Sequence, residues 1–200
     1  TALHRIRKVE DWIPHLKKLG INAVYFCPIF SSDSHGYDTR DYFKLDERLG
    51  TNDDFRDVCR ALHDNGIRVV LDGVFNHTGA DSKYFNQKGN YDSLGAAQST
   101  QSPYYPWYSF REHPNVYDSW WGIGILPKVR CDNDSYREYI LGEQGIISRY
   151  MERGIAGWRL DVADELSDGF LDALRDHGLE PFDFYYGRGS AYMDQAFQCG

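Results

Sequence analysis

Residues 68–77 read Arg-Val-Val-Leu-Asp-Gly-Val-Phe-Asn-His. Arg68–Phe75 is a near-continuous apolar run, the pattern of a strand buried on both faces of a parallel sheet. Working outward, the same alternation recurs on either side. Asn52–Gly66 precedes it with helical spacing: Asn52 stands as the cap, Phe55, Val58, Leu62 and His63 form one stripe, and Gly66 ends it. Before that, Val9–Gly20 carries Trp12, Ile13, Leu16 and Leu19 at helical spacing, and Ile21–Phe30 is another apolar run. On the other side, Ser135–Arg153 predicts a helix through Tyr136, Ile140, Ile147 and Tyr150. Gly157–Val162 predicts a third strand and Ser167–Arg175 a fourth helix. Strand and helix alternate with tight connections, which predicts an α/β fold with a parallel sheet. The exception is Thr78–Asn133, rich in Gly, Ser, Asn, Gln, Tyr and Trp and without long periodic stretches. A segment that long without regular structure is usually functional. It follows a strand, so it is expected over the carboxyl ends of the sheet, where parallel α/β folds build their sites.

Composition narrows the ligand class. The chain has 200 residues, 30 acidic against 22 basic, for a formal net charge of −8. That balance argues against nucleic acid or an anionic membrane as partner. No apolar run is long enough for a transmembrane span, and no leader precedes the first helix. Rings make up 16 % of the residues, and most are expected in the core. Those that are not would stack on flat ligands, and the acidic balance favours sugars over bases: Trp107, Trp120 and Trp121 of residues 78–133 are candidate sugar platforms or, equally, core of that segment. The cysteines Cys27, Cys59, Cys131 and Cys199 form no Cys-x-x-Cys pair, so no zinc site is supported. Cys27 and Cys59 read as buried thiols, and the pattern favours a reducing, cytoplasmic compartment.

Polar residues gather where the strands end. His35-Gly36-Tyr37-Asp38-Thr39-Arg40-Asp41-Tyr42 follows the first, Asp72-Gly73-Val74-Phe75-Asn76-His77 closes the second, and Arg159-Leu160-Asp161 closes the third. One strand-terminal Asp is commonly a loop residue. Three clusters at one end of a parallel sheet meet on one face. Arg159 and Asp161 are two apart, so on a strand they point to the same side. An Arg beside a carboxylate favours its ionised form, which suits a nucleophile or an electrostatic stabiliser, or else a structural ion pair.

These stretches carry a resemblance. Residues 72–77 and Gly157-Trp158-Arg159-Leu160-Asp161-Val162-Ala163 resemble the first and second signature regions of the α-amylase family, glycoside hydrolase family 13. Residues 35–42 are similar to that family's loop after its second barrel strand. Leu126-Pro127-Lys128-Val129 resembles a motif near the end of the inserted domain in neopullulanase and cyclomaltodextrinase-like members. The likeness runs in order over about residues 5–177.

The resemblance implies a partial (β/α)8 TIM barrel, about strands 2–4 with helices 1–4, and a domain B inserted after strand 3. Residues 1–77 would be barrel, 78–133 domain B, 134–180 barrel again, and 181–200 an aberrant tail. It implies retaining hydrolysis or transfer at α-1,4 or α-1,6 glucosidic bonds of an α-glucan or maltooligosaccharide. Asp161 would be the nucleophile and Arg159 its positioning partner. His77 would hydrogen-bond the sugar and Tyr37 stack beneath it. Asp72 falls in the sugar-contacting set, although with Asn76 it is better read as supporting the loop around His77. Asp38 and Asp41 are either sugar-facing or structural. Where many members have a calcium-holding His, this sequence has Asp164-Glu165, so no metal ligand is assigned and calcium stays open. A dimer is open for a full-length parent.

The family's general acid is a Glu in a Gly-Glu pair after a fifth strand. Here the sequence runs Pro181-Phe182-Asp183-Phe184-Tyr185-Tyr186-Gly187-Arg188, with no strand of the expected type and no such Glu. Glu180 comes too early. Residues 185–192 can arise from codons whose shifted frame reads close to Met-Gly-Glu-Val, so a frameshift between about residues 175 and 184 is the expectation. On this reading the 200-residue chain is a catalytically inactive fragment or sugar-binding remnant of a glycosidase.

Overall fold

The structure is a computed structural model that describes residues 3–176 and, as backbone, 184–186. Helix α1 (Lys8–Lys18) leads into strand β1 (Ala23–Phe26), and a hairpin follows from β2 (Phe30–Ser32) and β3 (Thr39–Leu45). Helix α2 (Asn52–Asp64) precedes β4 (Arg68–Gly73). After a long excursion holding the short pair β5 (Phe110–Glu112) and β6 (Val116–Tyr117), the chain forms α3 (Asp134–Leu141) and α4 (Ile146–Glu152). Strand β7 (Gly157–Leu160), helix α5 (Asp168–Asp176) and strand β8 (Phe184–Tyr186) close the order. β1, β4, β7 and β8 form one sheet in that order, every pair parallel. The expected α/β alternation and partial barrel are therefore present.

Sequence periodicity decides which face is covered. Val69, Leu71, Trp158 and Leu160 point to the helices and are buried. Trp158 sits among Phe75, Tyr150 and Phe30 at ring-centroid distances of 5.5, 5.9 and 6.2 Å. The opposite face carries Ala23, Tyr25, Val70 and Arg159 around an open cavity of about 350 Å³. This corrects the expectation for residues 21–30. Their run is not one strand buried on both faces: it breaks at Pro28 into β1 and β2, and Tyr25 on β1 is 45 % exposed. Cys27, expected as a buried thiol, is exposed for the same reason, whereas Cys59 is buried.

Three local corrections have plain causes. The cap of α2 is Thr51, not Asn52: Thr51 and Asp54 form a reciprocal capping box. Asn52 instead ties the helix to β3, accepting from Leu45 N at 2.8 Å and donating to Phe43 O at 2.9 Å. Thr51→Ala should cost about 1 kcal/mol, since it strands a helix N–H, and lower the melting temperature by roughly 2–4 °C; thermal unfolding checks this. The predicted helix over 135–153 is two helices, because Gly142 and Gly145 interrupt it, and a Cβ on either would meet backbone within 3 Å.

The third correction concerns the tail. Phe184–Tyr186 is a strand, parallel to β7 with Arg159 opposite Tyr185. Three consecutive aromatics have high strand propensity, and the unpaired side of β7 offers them a ladder. Glu180 and the remainder of the tail, with the frameshift expectation, lie outside the described residues.

The excursion of residues 78–133 returns to the sheet. Its exit pairs back on the end of β4: Thr78 N donates to Pro127 O at 3.2 Å and Val129 N to Asn76 O at 2.9 Å. Its rings mostly pack inward, as expected. Trp107 is 3 % exposed against Tyr84, Tyr104, Tyr136 and Tyr139. No helix among the described residues is long and apolar enough to cross a membrane.

Candidate active site

Register alone places the charged centre. Asp72 on β4 stands opposite Arg159 on β7, and Asp161 follows two residues beyond Arg159. Arg159 Nη1 donates to Asp161 Oδ1 at 2.7 Å and to both Asp72 oxygens, at 2.9 and 3.1 Å. One guanidinium therefore serves two carboxylates. Asp72 is fully buried and also accepts from the hydroxyls of Tyr37, at 3.2 Å, and Tyr25. It supports Arg159 rather than the loop around His77, as the sequence reading had it.

Burial pushes the carboxyls of Asp72 and Asp161 above the ordinary aspartate value, and the hydrogen bonds from Arg159 only partly offset it. The expectation that Arg159 would dominate is thus corrected: loss of solvent around each carboxylate outweighs the neighbouring cation. For Arg159, burial works against the charge, but the two carboxylates reverse this and raise its pKa. Asp161 is followed by Val162 at φ 50°, ψ 44°. That left-handed conformation costs a β-branched residue about 1–2 kcal/mol. It turns the chain sharply at the strand end, so Asp161 lies in the wall of a cleft.

The cleft measures about 240 Å³ and is lined by Trp120, Trp121, Arg159, Asp161, Asp164 and Glu165, among others. Burial would raise the Glu165 carboxyl. Bonds from Lys128 Nζ at 2.9 Å and Trp121 Nε1 at 3.1 Å outweigh it and hold Glu165 below its ordinary value. Lys128 lies in the 126–129 motif, so that motif braces the cleft.

The other predicted residues lie further back. His77 is buried, and burial lowers its pKa to about 4, so it is neutral at pH 7. Its Nε2 lies 3.1 Å from the Tyr37 carbonyl oxygen, which can only accept, so Nε2 carries the proton. Nδ1 then accepts from Asn76 Nδ2 at 3.4 Å. Both His77 nitrogens are engaged by protein, and the ring stacks on Trp120 at 5.7 Å. Tyr37 reaches the centre through its hydroxyl on Asp72. Asp38 is not brought to the cleft. It is buried and accepts from Ser34 N, Ser34 Oγ and Gly36 N, bracing its own loop. Asp41 is engaged by Lys83 at 2.7 Å.

Tyr25 and Glu165 were not singled out from sequence as site residues. The signal for Tyr25 was its strand parity, which puts it on the face of Val70 and Asp72. Glu165 was legible only as part of the polar cluster that ends β7; its contacts with residues 121 and 128 come from the fold. Among the described residues no three His, Cys, Asp or Glu side chains stand together to hold a metal ion, and the Asn76 amide is turned to His77. No metal ligand is assigned among the described residues, and no step is routed through a metal.

Known proteins are similar to this chain in sequence and fold. The family model "Alpha amylase, catalytic domain" matches residues 6–184. An amylopullulanase of Thermoanaerobacterium saccharolyticum is 39 % identical over 191 residues, covering 86 % of this chain and 15 % of that protein. A cyclomaltodextrinase of a Bacillus species is 38 % identical over 178 residues, covering 85 % of this chain and 30 % of that protein. Among solved structures, cyclic alpha-maltosyl-(1→6)-maltose hydrolase from Arthrobacter globiformis in complex with maltose superposes with a TM-score of 0.76 at 31 % identity. That match covers 90 % of this chain and 41 % of the hydrolase. The chain thus spans less than a third of the two curated relatives. The match begins at the helix before β1 and ends on β8, so it takes in every strand of the parallel sheet: this chain belongs to the alpha-amylase catalytic-domain family.

Proposed function

We propose that the chain carries the nucleophile half of a retaining α-glucan-acting glycoside hydrolase, with Asp161 as nucleophile and Arg159 as its positioning partner. The observation that carries this is the shared guanidinium: Arg159 holds Asp161 at 2.7 Å while anchored on buried Asp72. A carboxylate oxygen fixed by one strand neighbour, with its other oxygen not bonded to Arg159, is oriented for attack. In the reaction an Asp161 oxygen bonds to the anomeric carbon of a glucosyl unit as the C1–O bond to the leaving sugar breaks. The leaving oxygen takes that electron pair and needs a proton.

The cleft's own glutamate is poorly suited to supply that proton. A general acid requires a raised pKa, and Glu165, the glutamate of the cleft, is lowered by Lys128 and Trp121. This observation favours the second reading, in which the 200-residue chain binds α-glucan without turning it over. Whether the parent cleaves α-1,4 or α-1,6 bonds, and whether it hydrolyses or transfers, depends on residues beyond this cleft.

A pair of substrates tests the proposal. Maltotriose and cyclodextrin have sugar leaving groups that need protonation. α-Glucosyl fluoride does not, because fluoride departs as an anion. The 200-residue chain should leave the first two intact and release fluoride from the third, read by a fluoride electrode. Turnover of maltotriose that Asp161→Asn abolishes would refute the missing acid. Failure with all three would refute Asp161 as a nucleophile in this chain.

A further inference from the structure

Trp121 is 79 % exposed, the largest exposure among the described large hydrophobic residues. It is not loosely placed. Its ring stacks on Trp120 at 4.9 Å with an interplanar angle of 15°, and Trp120 stacks in turn on His77 at 29°. Its Nε1–H donates to Glu165 Oε1 at 3.1 Å, and Glu165 is itself held by Lys128. Its backbone lies at φ 50°, ψ 28°, a left-handed conformation that a bulky residue rarely adopts. Such an outlier persists only when its surroundings over-determine it, and it points toward function.

Packing does not account for this side chain. Trp107 shows what a structural tryptophan of the same segment looks like: 3 % exposed, with Nε1 donating to Ser135 at 2.9 Å. Trp121 instead keeps its outer face in water while its edge is tied down. It also lines the cleft that holds Asp161. The remaining rim carries carboxylates, Asp164 and Glu165, which accept hydrogen bonds from hydroxyls and repel anions. A rigid apolar plane edged by acceptors fits a neutral pyranose ring, with its C–H face on the indole and its hydroxyls toward the carboxylates.

We propose that Trp121, backed by Trp120, is the platform for a second glucosyl ring of an α-glucan, next to the ring that reacts at Asp161. This rests on the reading of the Asp161 cleft given above and adds a chain-length preference to it. Trp121 and Asp161 line one cleft, so an oligosaccharide seated at Asp161 has its next ring to lay on Trp121.

Isothermal titration of the 200-residue chain with maltotriose and with deoxynojirimycin, a single-ring cationic glucose mimic, tests this. Trp121→Ala should weaken maltotriose about tenfold, the scale of a lost aromatic stacking contact with its buried area. It should leave deoxynojirimycin within twofold, and Trp121→Phe should restore most of the maltotriose affinity. An unchanged urea midpoint would show that the fold is intact, as expected for so exposed a side chain. Equal maltotriose binding by the unaltered chain and Trp121→Ala overturns the platform, as does absence of maltotriose binding to the unaltered chain. No deoxynojirimycin binding would bring down the Asp161 assignment, and the maltotriose comparison would still decide Trp121.

Discussion

Asp161→Asn is expected to stop fluoride release from α-glucosyl fluoride, by roughly a million-fold, the scale on which removing a covalent nucleophile acts. An amide oxygen carries no charge to donate to the anomeric carbon. The side chain keeps its size, so Arg159 can still donate to it and the cleft keeps its shape. The fold should not suffer. Burial raises the Asp161 carboxyl above its unfolded value. A group of that kind binds its proton more tightly when folded, so its contribution is fully present below the unfolded value and is lost as pH rises through the folded one. At pH 7 the ionised carboxylate is a cost, and with asparagine in its place Arg159 pairs with Asp72 alone. Urea midpoints should therefore be equal or higher for Asp161→Asn at pH 7, with the advantage gone near pH 3. A variant that loses both activity and stability at pH 7 would make Asp161 a structural ion-pair partner.

Arg159→Met is expected to be the most damaging single change to the fold. It removes the cation that buried Asp72 and half-buried Asp161 share and leaves both without it. Breaking a buried pair from one side costs about 3–5 kcal/mol. The lower end is expected here, because the guanidinium is 25 % exposed and the Tyr25 and Tyr37 hydroxyls still donate to Asp72. The loss should grow as pH rises, since protonating the orphaned carboxyls relieves it. The second-site change Asp72→Asn should recover most of it, because the amide carries no charge. Chemical denaturation of the two single variants and the double variant gives the coupling directly. Additive losses would mean that Asp72 and Arg159 do not depend on each other.

How much of this was legible depended on the range of the interactions. The alternation of strands and helices followed from local periodicity, as at Arg68–Phe75 and Phe55-Val58-Leu62. The juxtaposition of Arg159 with Asp161 followed from strand parity. What sequence spacing could not show was register. That Asp72 faces Arg159, and so takes hydrogen bonds from the same guanidinium as Asp161, is a fact of how β4 lies against β7. Burial was misjudged where neighbours were absent: Tyr25 and Cys27 read as core because an apolar run looks the same with one face covered or two. Helix limits failed where two signals competed, as with Thr51 against Asn52. The strand at Phe184–Tyr186 was missed because it is short and carried none of the motif expected there. Asp38 stood in the right motif, but its carboxylate is taken up by its own loop. Trp121 could not be told from Trp107 in the sequence, since exposure is set by the fold.

The central claim is that Asp161 is the group that bonds to sugar. It is tested most directly by incubating the 200-residue chain with α-glucosyl fluoride, digesting it, and locating the glucosyl adduct by mass spectrometry. Glu165, the glutamate of the cleft, is tied to Trp121 and Lys128 rather than to a water for the second step, so the ester should accumulate. The account predicts one added glucosyl unit, on the peptide containing Asp161, and none in Asp161→Asn. An adduct on Asp72, Asp164 or Glu165, or no adduct at all, would contradict it.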